Sequence, residues 1–283
     1  MIYITTGEGI LSWDRGSKIE KVCNLPSFSL NRWKNKWLIV SSQSKSETVN
    51  GVAVNFNIKD AKVIILDNNF SVERMIPITV GAFWCHQAFV QDDIMWITDT
   101  GNDRLLIVDL ITDEVKVHNL TEEHIQGEML SSKMATDTRH LNSILIDNDS
   151  IKLICHNHGP SYYLELNKNL EVVNRINEIG ICSHDLIRGL DGEIWFCDSL
   201  NRKFKRLDGS KEITLEGFIR GVLISKGIIY IGASCMNPVN RNQGGRIIPY
   251  GIHILNGEER SFLDLEEFIG TRLQIYTIVE GDV

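Results

Sequence analysis

Three histidines open three similar stretches of this chain: His86-Gln-Ala-Phe-Val, His140-Leu-Asn-Ser-Ile-Leu-Ile and His184-Asp-Leu-Ile-Arg-Gly. Imidazole titrates near neutrality, so it can act as a base, a nucleophile or a metal ligand without extreme tuning. Several neutral imidazoles brought together suit a divalent transition metal such as iron or zinc. The candidate ligands are His86, His140 and His184, with a fourth from His156 or His158; a strand turns only one of that last pair inward. A metal there would polarise a substrate oxygen or activate a bound water, and Asp185 or Asp198 would orient a ligand from behind. Without a metal, the same residues support another chemistry. His184 would act as nucleophile or base, and His140 and Arg220 would steady an anionic or transferred group. Both readings describe an enzyme with a small polar or anionic substrate: a metal-dependent lyase, hydrolase or oxygenase in the first, a transferase in the second. A third reading is a non-catalytic surface that binds a protein or ligand.

Such convergence needs an architecture that brings distant segments together. Each histidine run is followed by a short turn and a second apolar run: Ile94-Met-Trp-Ile-Thr-Asp, Ile151-Lys-Leu-Ile-Cys-His and Ile194-Trp-Phe-Cys-Asp. A polar loop and a third apolar run come next. A unit repeated on this scale stacks on copies of itself to bury its apolar face. Further units open near Ser29-Leu-Asn31 and at Arg220-Gly-Val-Leu-Ile. The run from Leu273 to Val279 completes a unit with Met1-Ile-Tyr-Ile-Thr-Thr. Pairing those two runs would close a ring and remove its open edges. The expected fold is all-β, a single domain over residues 1–283 arranged as a six-bladed β-propeller; five and seven blades are the alternatives. Short helices are expected only at 121–126 and 263–269. On this alignment His86, His140, His156, His184, Arg220, Asp99 and Asp198 rim one mouth of the channel, with Asn31 and Tyr276 completing the circle.

The bulk composition excludes several classes. The 283 residues carry 37 acids against 29 bases, a net charge of −8, which disfavours a phosphate-neutralising nucleic-acid binder. The dense run Arg202-Lys-Phe-Lys-Arg206 reads as an exposed strand edge. No apolar run approaches a membrane span, and no secretory leader is visible, so the expected location is cytoplasmic. None of the six cysteines forms a Cys-x-x-Cys pair, and most sit in apolar runs as reduced core thiols.

Two stretches, Trp96-Ile-Thr-Asp99-Thr-Gly-Asn-Asp-Arg and Trp195-Phe-Cys-Asp198-Ser-Leu-Asn-Arg, resemble repeats of the NHL type. That resemblance implies a propeller in which the Asp and Asn satisfy turn backbones. His140-Leu-Asn-Ser with Cys155-His-Asn, and Cys182-Ser-His184-Asp with Gly192-Glu-Ile-Trp-Phe-Cys-Asp, resemble two blades of the aryl sulfotransferase propellers. That resemblance would make His184 the nucleophile and His140 a second channel histidine, with His86 as a further one. The arginine that binds the anion in that family is absent after His140-Leu-Asn-Ser, leaving Arg220 to supply the charge. The segment from Arg220 to Ile278 also resembles uncharacterised bacterial propellers.

Overall fold

The computed structural model describes residues 1–25, 27–41, 45–49, 52–56, 61–82, 84–120, 139–147, 150–156, 159–234, 242–243, 246–247, 250–265 and 274–281. The chain begins with β1 (Ile2–Thr6), β2 (Gly9–Trp13) and β3 (Ile19–Cys23). Next come β4 (Leu30–Trp33), β5 (Lys36–Ser41), β6 (Lys45–Val49), β7 (Val52–Phe56), β8 (Lys62–Leu66) and β9 (Val72–Pro77). The middle holds β10 (Cys85–Gln91), β11 (Ile94–Asp99), β12 (Arg104–Asp109) and β13 (Val115–Asn119), then β14 (Leu141–Asp147), β15 (Ser150–Cys155), β16 (Pro160–Leu166) and β17 (Val172–Ile181). There follow β18 (Ser183–Arg188), β19 (Ile194–Asp198), β20 (Lys203–Arg206) and β21 (Glu212–Thr214). The last are β22 (Phe218–Ser225), β23 (Ile228–Ser234), β24 (Asn242–Gln243), β25 (Arg246–Ile247), β26 (Gly251–Asn256), β27 (Glu259–Asp264) and β28 (Ile275–Glu280).

These strands build six four-stranded antiparallel sheets, the blades of a six-bladed β-propeller. Blade 1 is β28-β1-β2-β3, and the pairing of β28 with β1 closes the ring. Blade 2 is β4-β5-β8-β9, blade 3 is β10 to β13, blade 4 is β14 to β17 and blade 5 is β18 to β21. Blade 6 is β22-β23-β26-β27. The hairpins β6-β7 and β24-β25 are inserted between the second and third strands of blades 2 and 6.

The core is not one ball but six seams, one between each pair of adjacent blades. Ile64 and Leu66 of β8 face blade 1, packing with Ile10 and Cys23. Their neighbours Val63 and Ile65 face blade 3, packing with Met95, Ile97 and Leu106. This two-residue period turns a strand's alternate side chains to opposite faces, so a blade buried on both faces reads as a continuous apolar run. The same holds for β15, where Leu153 and Cys155 pack against blade 3 and Ile154 against blade 5. The outermost strands are largely exposed and mix charged with apolar residues, as in β13 and β27; the charges discourage pairing with other chains.

Two expectations change. Leu263 and Asp264 end β27 and are not the start of a helix; the register with Ile252 and Gly251 binds them into the sheet. The basic run at 202–206 is the third strand of blade 5, covered by β21, so it is not an edge. The stretch 121–126 lies outside the described residues.

Candidate active site

The inner strands carry an irregularity that the sequence pattern does not announce. In five blades the pairing between the inner and second strands slips near its start: after Cys85, after Leu141, after His184, after Ile219 and at Tyr276. Each slip is a β-bulge, which re-aims side chains and frees backbone groups from the ladder. The residue before the first strand takes a left-handed backbone in four blades: Trp84, His140, Cys182 and Gly217. Only blade 2 keeps a regular inner pair, with Leu30, Asn31, Arg32 and Trp33 opposite Ile39, Leu38, Trp37 and Lys36.

Equivalent positions follow from the pairing of Cys85 with Asp99, Leu141 with Cys155, Ser183 with Asp198, Phe218 with Ser234 and Ile275 with Thr6. One tier then consists of His86, Asn142, His184, Ile219 and Tyr276. The next consists of Gln87, Ser143, Asp185, Arg220 and Thr277. His140 therefore does not share a blade position with His86 and His184; its equivalents are Trp84, Cys182 and Gly217, and Asn142 holds the slot expected for it. Arg220 likewise sits one step further along its strand than the histidines.

The convergence is nevertheless real. Ring centroids are 4.9 Å apart for His86 and His140, 5.0 Å for His140 and His156, and 6.2 Å for His156 and His184. The His156 N–H also donates to the His140 carbonyl, joining the two in one blade. His86, His140 and His156 are half-buried, while His184 is buried. Aromatic rings continue the wall: Phe28 stacks on His86 at 5.2 Å, Phe28 meets Tyr276 at 4.5 Å, and Phe218 meets the edge of His184 at 5.5 Å. His158 lies outside the described residues.

Asn142 organises the imidazoles. Its Nδ2 donates to the Ser183 carbonyl at 3.3 Å, an oxygen that can only accept, and this fixes which way the amide faces. Its Oδ1 then lies 2.5 Å from His86 Nδ1, so that nitrogen carries the proton. Its second Nδ2 hydrogen points to His184 Nε2 at 3.1 Å, so that nitrogen accepts. His184 Nδ1 in turn donates to Ser199 Oγ at 2.9 Å. Both nitrogens of His184 are engaged, whereas His86 keeps its Nε2 lone pair. Burial holds the His86 pKa well below the ordinary range, helped by His140 and Arg220. Burial also lowers His184, followed by Arg220 and the neighbouring histidines. Both rings are neutral at pH 7.

In the second tier each side chain reaches into the next blade. The Ile144 N–H donates to Gln87 Oε1 at 2.7 Å, and the Asp185 N–H donates to Ser143 Oγ. The Gly221 N–H donates to Asp185 Oδ2 at 2.7 Å, and Thr277 Oγ1 donates to the Phe28 carbonyl at 3.0 Å. The first three satisfy backbone N–H groups in and beside the bulges and the fourth a carbonyl of blade 2, groups that would be costly to bury unpaired. Gln87 Nε2 also reaches Asp185 Oδ1 at 3.4 Å. Burial pushes the Asp185 carboxyl up to about 6, against the pull of Arg220 and the Gly221 N–H.

Arg220 breaks the pattern. It is 6% exposed, and its guanidinium lies 4.8 Å from the Tyr276 ring centroid and 6.0 Å from that of Phe28. Among the described residues it makes contact through those faces and through the field of Asp185, with no hydrogen bond or ion pair.

Other expected rim residues serve the framework. Asp99 accepts from Asn102 Nδ2 and, at 2.6 Å, from Arg104 Nε; Asp198 accepts from Asn201 Nδ2 and the Ile181 N–H. These carboxylates hold turns, the role that the resemblance to NHL-type repeats implies for them. Asn31 donates to Ser29 Oγ within its own blade. Among the described residues no group of three or more His, Cys, Asp or Glu side chains is disposed to hold a metal ion. The expected set of His86, His140, His184 and His156 does not make such a group, and both ring nitrogens of His184 are engaged, by Asn142 Nδ2 and Ser199 Oγ. The five described cysteines are buried free thiols, and no described helix is long and apolar enough to cross a membrane. Asn142 and Gln87 were missed by sequence reasoning. The usable signal was register: counted back from Asp99 and Cys155, the same step reaches His86 and Asn142.

No protein-family model and no curated protein matches the chain. Among solved structures, it is similar to a chain of a nidogen/laminin complex, with 9% identity, a TM-score of 0.63, and 98% of this chain and 96% of that one covered. It is also similar to a candidate 6-phosphogluconolactonase from Bacteroides fragilis, with 10% identity, a TM-score of 0.57 and coverage of 94% and 80%. Virginiamycin B lyase from Staphylococcus aureus matches with 10% identity, a TM-score of 0.52 and coverage of 83% and 69%. At these identities the likeness is one of fold, and it agrees with the β-propeller.

Proposed function

We propose that the protein is an enzyme that performs acid–base chemistry on a small polar or anionic substrate at the histidine-lined mouth, with His86 Nε2 as the base. The observation that carries this reading is the Asn142 amide, oriented by the Ser183 carbonyl, which holds His86 in the Nδ1–H form. A base kept neutral and in one tautomer is ready to take a proton at neutral pH. His184 and Ser199 orient Asn142 from behind; His140 and His156 line the approach. The propeller fold, shared with a lyase and a candidate lactonase, is compatible with catalysis of this kind.

The reading uses no metal. A divalent iron or zinc centre and histidine-borne group transfer both call on a free nitrogen of His184, and Asn142 and Ser199 occupy both.

Ring ¹⁵N NMR tests the carrying observation. His86 should appear as the neutral Nδ1–H tautomer at pH 7 and switch to mixed tautomers in Asn142→Ala. A screen for elimination and hydrolysis of small acids should then yield a turnover that His86→Gln abolishes. A His86 protonated on Nε2 at pH 7, or full turnover in His86→Gln, would remove the proposal.

A further inference from the structure

We infer that Arg220 is the receptor for a carboxylate monoanion on the substrate, held beside the imidazoles; this rests on the site proposed above and names the substrate's charged group.

Four observations converge on it. Arg220 is nine-tenths buried, yet its guanidinium has no hydrogen bond or ion pair among the described residues. Its nitrogens are not among the fully enclosed, unpartnered side-chain atoms, so they open on the channel, where a bound molecule can supply the acceptor. The nearest acid makes no ion pair with it: Asp185 accepts from the Gly221 N–H through Oδ2 and from Gln87 Nε2 through Oδ1, and acts on Arg220 only through its field. The Tyr276 and Phe28 rings cover the guanidinium's surroundings without supplying an acceptor, because a ring attracts the cation and leaves its N–H groups unspent.

Charge selects the class of anion. The groups that face Arg220 are Asp185 on β18, the Tyr276 phenol on β28, the Cys197 thiol on β19, and the histidines of β10 and β18. Tyr276 and Cys197 are neutral, both raised chiefly by burial. Asp185, ionised at pH 7, already offsets Arg220, so a bound monoanion leaves one surplus negative charge and a dianion two; the smaller buried surplus favours the monoanion. A guanidinium fork matches the two coplanar oxygens of a carboxylate, whereas Lys would offer only a point charge. The field of Arg220 also reaches both His86 and His184, so a carboxylate bound there sets the rest of the molecule against the proposed base.

Isothermal titration of the full-length protein with acetate, benzoate, sulfate and inorganic phosphate at pH 7.0 and constant ionic strength tests this. We expect a carboxylate to bind more tightly than either inorganic anion. Both Arg220→Lys and Arg220→Gln should weaken it by about tenfold or more, as loss of a charge-assisted pair predicts. Should these variants fail to fold by circular dichroism, ¹⁵N NMR of the wild-type Arg220 side chain during benzoate titration takes their place; a saturable shift is expected. No carboxylate binding, equal or tighter binding of sulfate or phosphate, undiminished binding by folded Arg220 variants, or an unmoved Arg220 resonance would each overturn the inference. His86→Gln separates it from the base assignment. A variant that binds benzoate normally but has lost turnover supports both; one that binds normally and still turns over defeats only the base.

Discussion

Blade 2 and blade 4 are built from the same four-stranded plan, but only one of them contributes hydrogen-bonding side chains to the imidazole network. In blade 2, β4 pairs with β5 without a slip, and Asn31 bonds back to Ser29 in its own blade. In blade 4, the slip after Leu141 turns Asn142 toward both neighbouring blades, where it meets His86 and His184. The difference is one extra residue in one strand. A regular pair spends its backbone groups on itself and keeps side chains in strict alternation. A bulge breaks that alternation and leaves groups that neighbouring side chains must satisfy. Gln87, Ser143 and Asp185 do so, each bonding the following blade.

That contrast can be broken by substitution. The largest effect is expected at the proposed base: His86→Gln should lower turnover by about 10²–10⁴-fold with the fold intact, while Asn31→Ala in blade 2 changes it less than about twofold. A steady-state assay on both variants decides whether blade 2 is a bystander. Next is Asn142→Asp, which places a negative charge between two imidazoles whose pKa values are depressed. Wild-type activity, which needs neutral His86, should persist as pH falls below the ordinary histidine range; in the variant the acidic limb of the pH–rate profile should move upward. An unmoved limb would mean that His86 is not the titrating base.

Backbone effects should be smaller and read as stability. Gly221 has φ +78°, and a Cβ there would lie 3.3 Å from Thr277 N and Tyr276 O. Gly221→Ala should cost about 1–3 kcal/mol in denaturant unfolding, whereas an alanine at exposed Gly257, where nothing lies within 4 Å, should cost less. The smallest effect concerns Asp185. Its folded pKa, about 6, lies above that of an unfolded aspartate. Its contribution is therefore fully present below the unfolded pKa and lost as pH rises through about 6. Relative to Asp185→Asn, the wild type should gain on the order of 1 kcal/mol between pH 7 and pH 5. His86 and His184 act in the opposite direction in both proteins and cancel in the difference.

Much of the architecture was legible because it rests on composition and period. The runs around β11, β15 and β19 are apolar on both faces, as seams between blades demand, and the Asp99 and Asp198 turns carry their own residue signature. The site was legible only in outline. His86, His140, His156 and His184 do meet, but the repeated His suggested one register where the chain uses two. A bulge leaves no residue-type mark when its extra position is Gln, Asn or Leu, so pairing alone reveals it. In sequence Asn142 is one polar residue in the run that follows His140. Its importance comes from partners that lie 56 and 42 residues away in the chain.

The seam between β28 and β1 has a consequence in time. Tyr276, which covers the Arg220 guanidinium, arrives on a strand that pairs with the very start of the chain. The strand that carries Tyr276 follows the histidines and Arg220 in the chain, and its pairing with β1 joins residues more than 260 positions apart. Contacts this remote in sequence form late and slowly. A nascent protein would thus acquire its folded blades first and its competent pocket last, with ring closure as the step that switches it on.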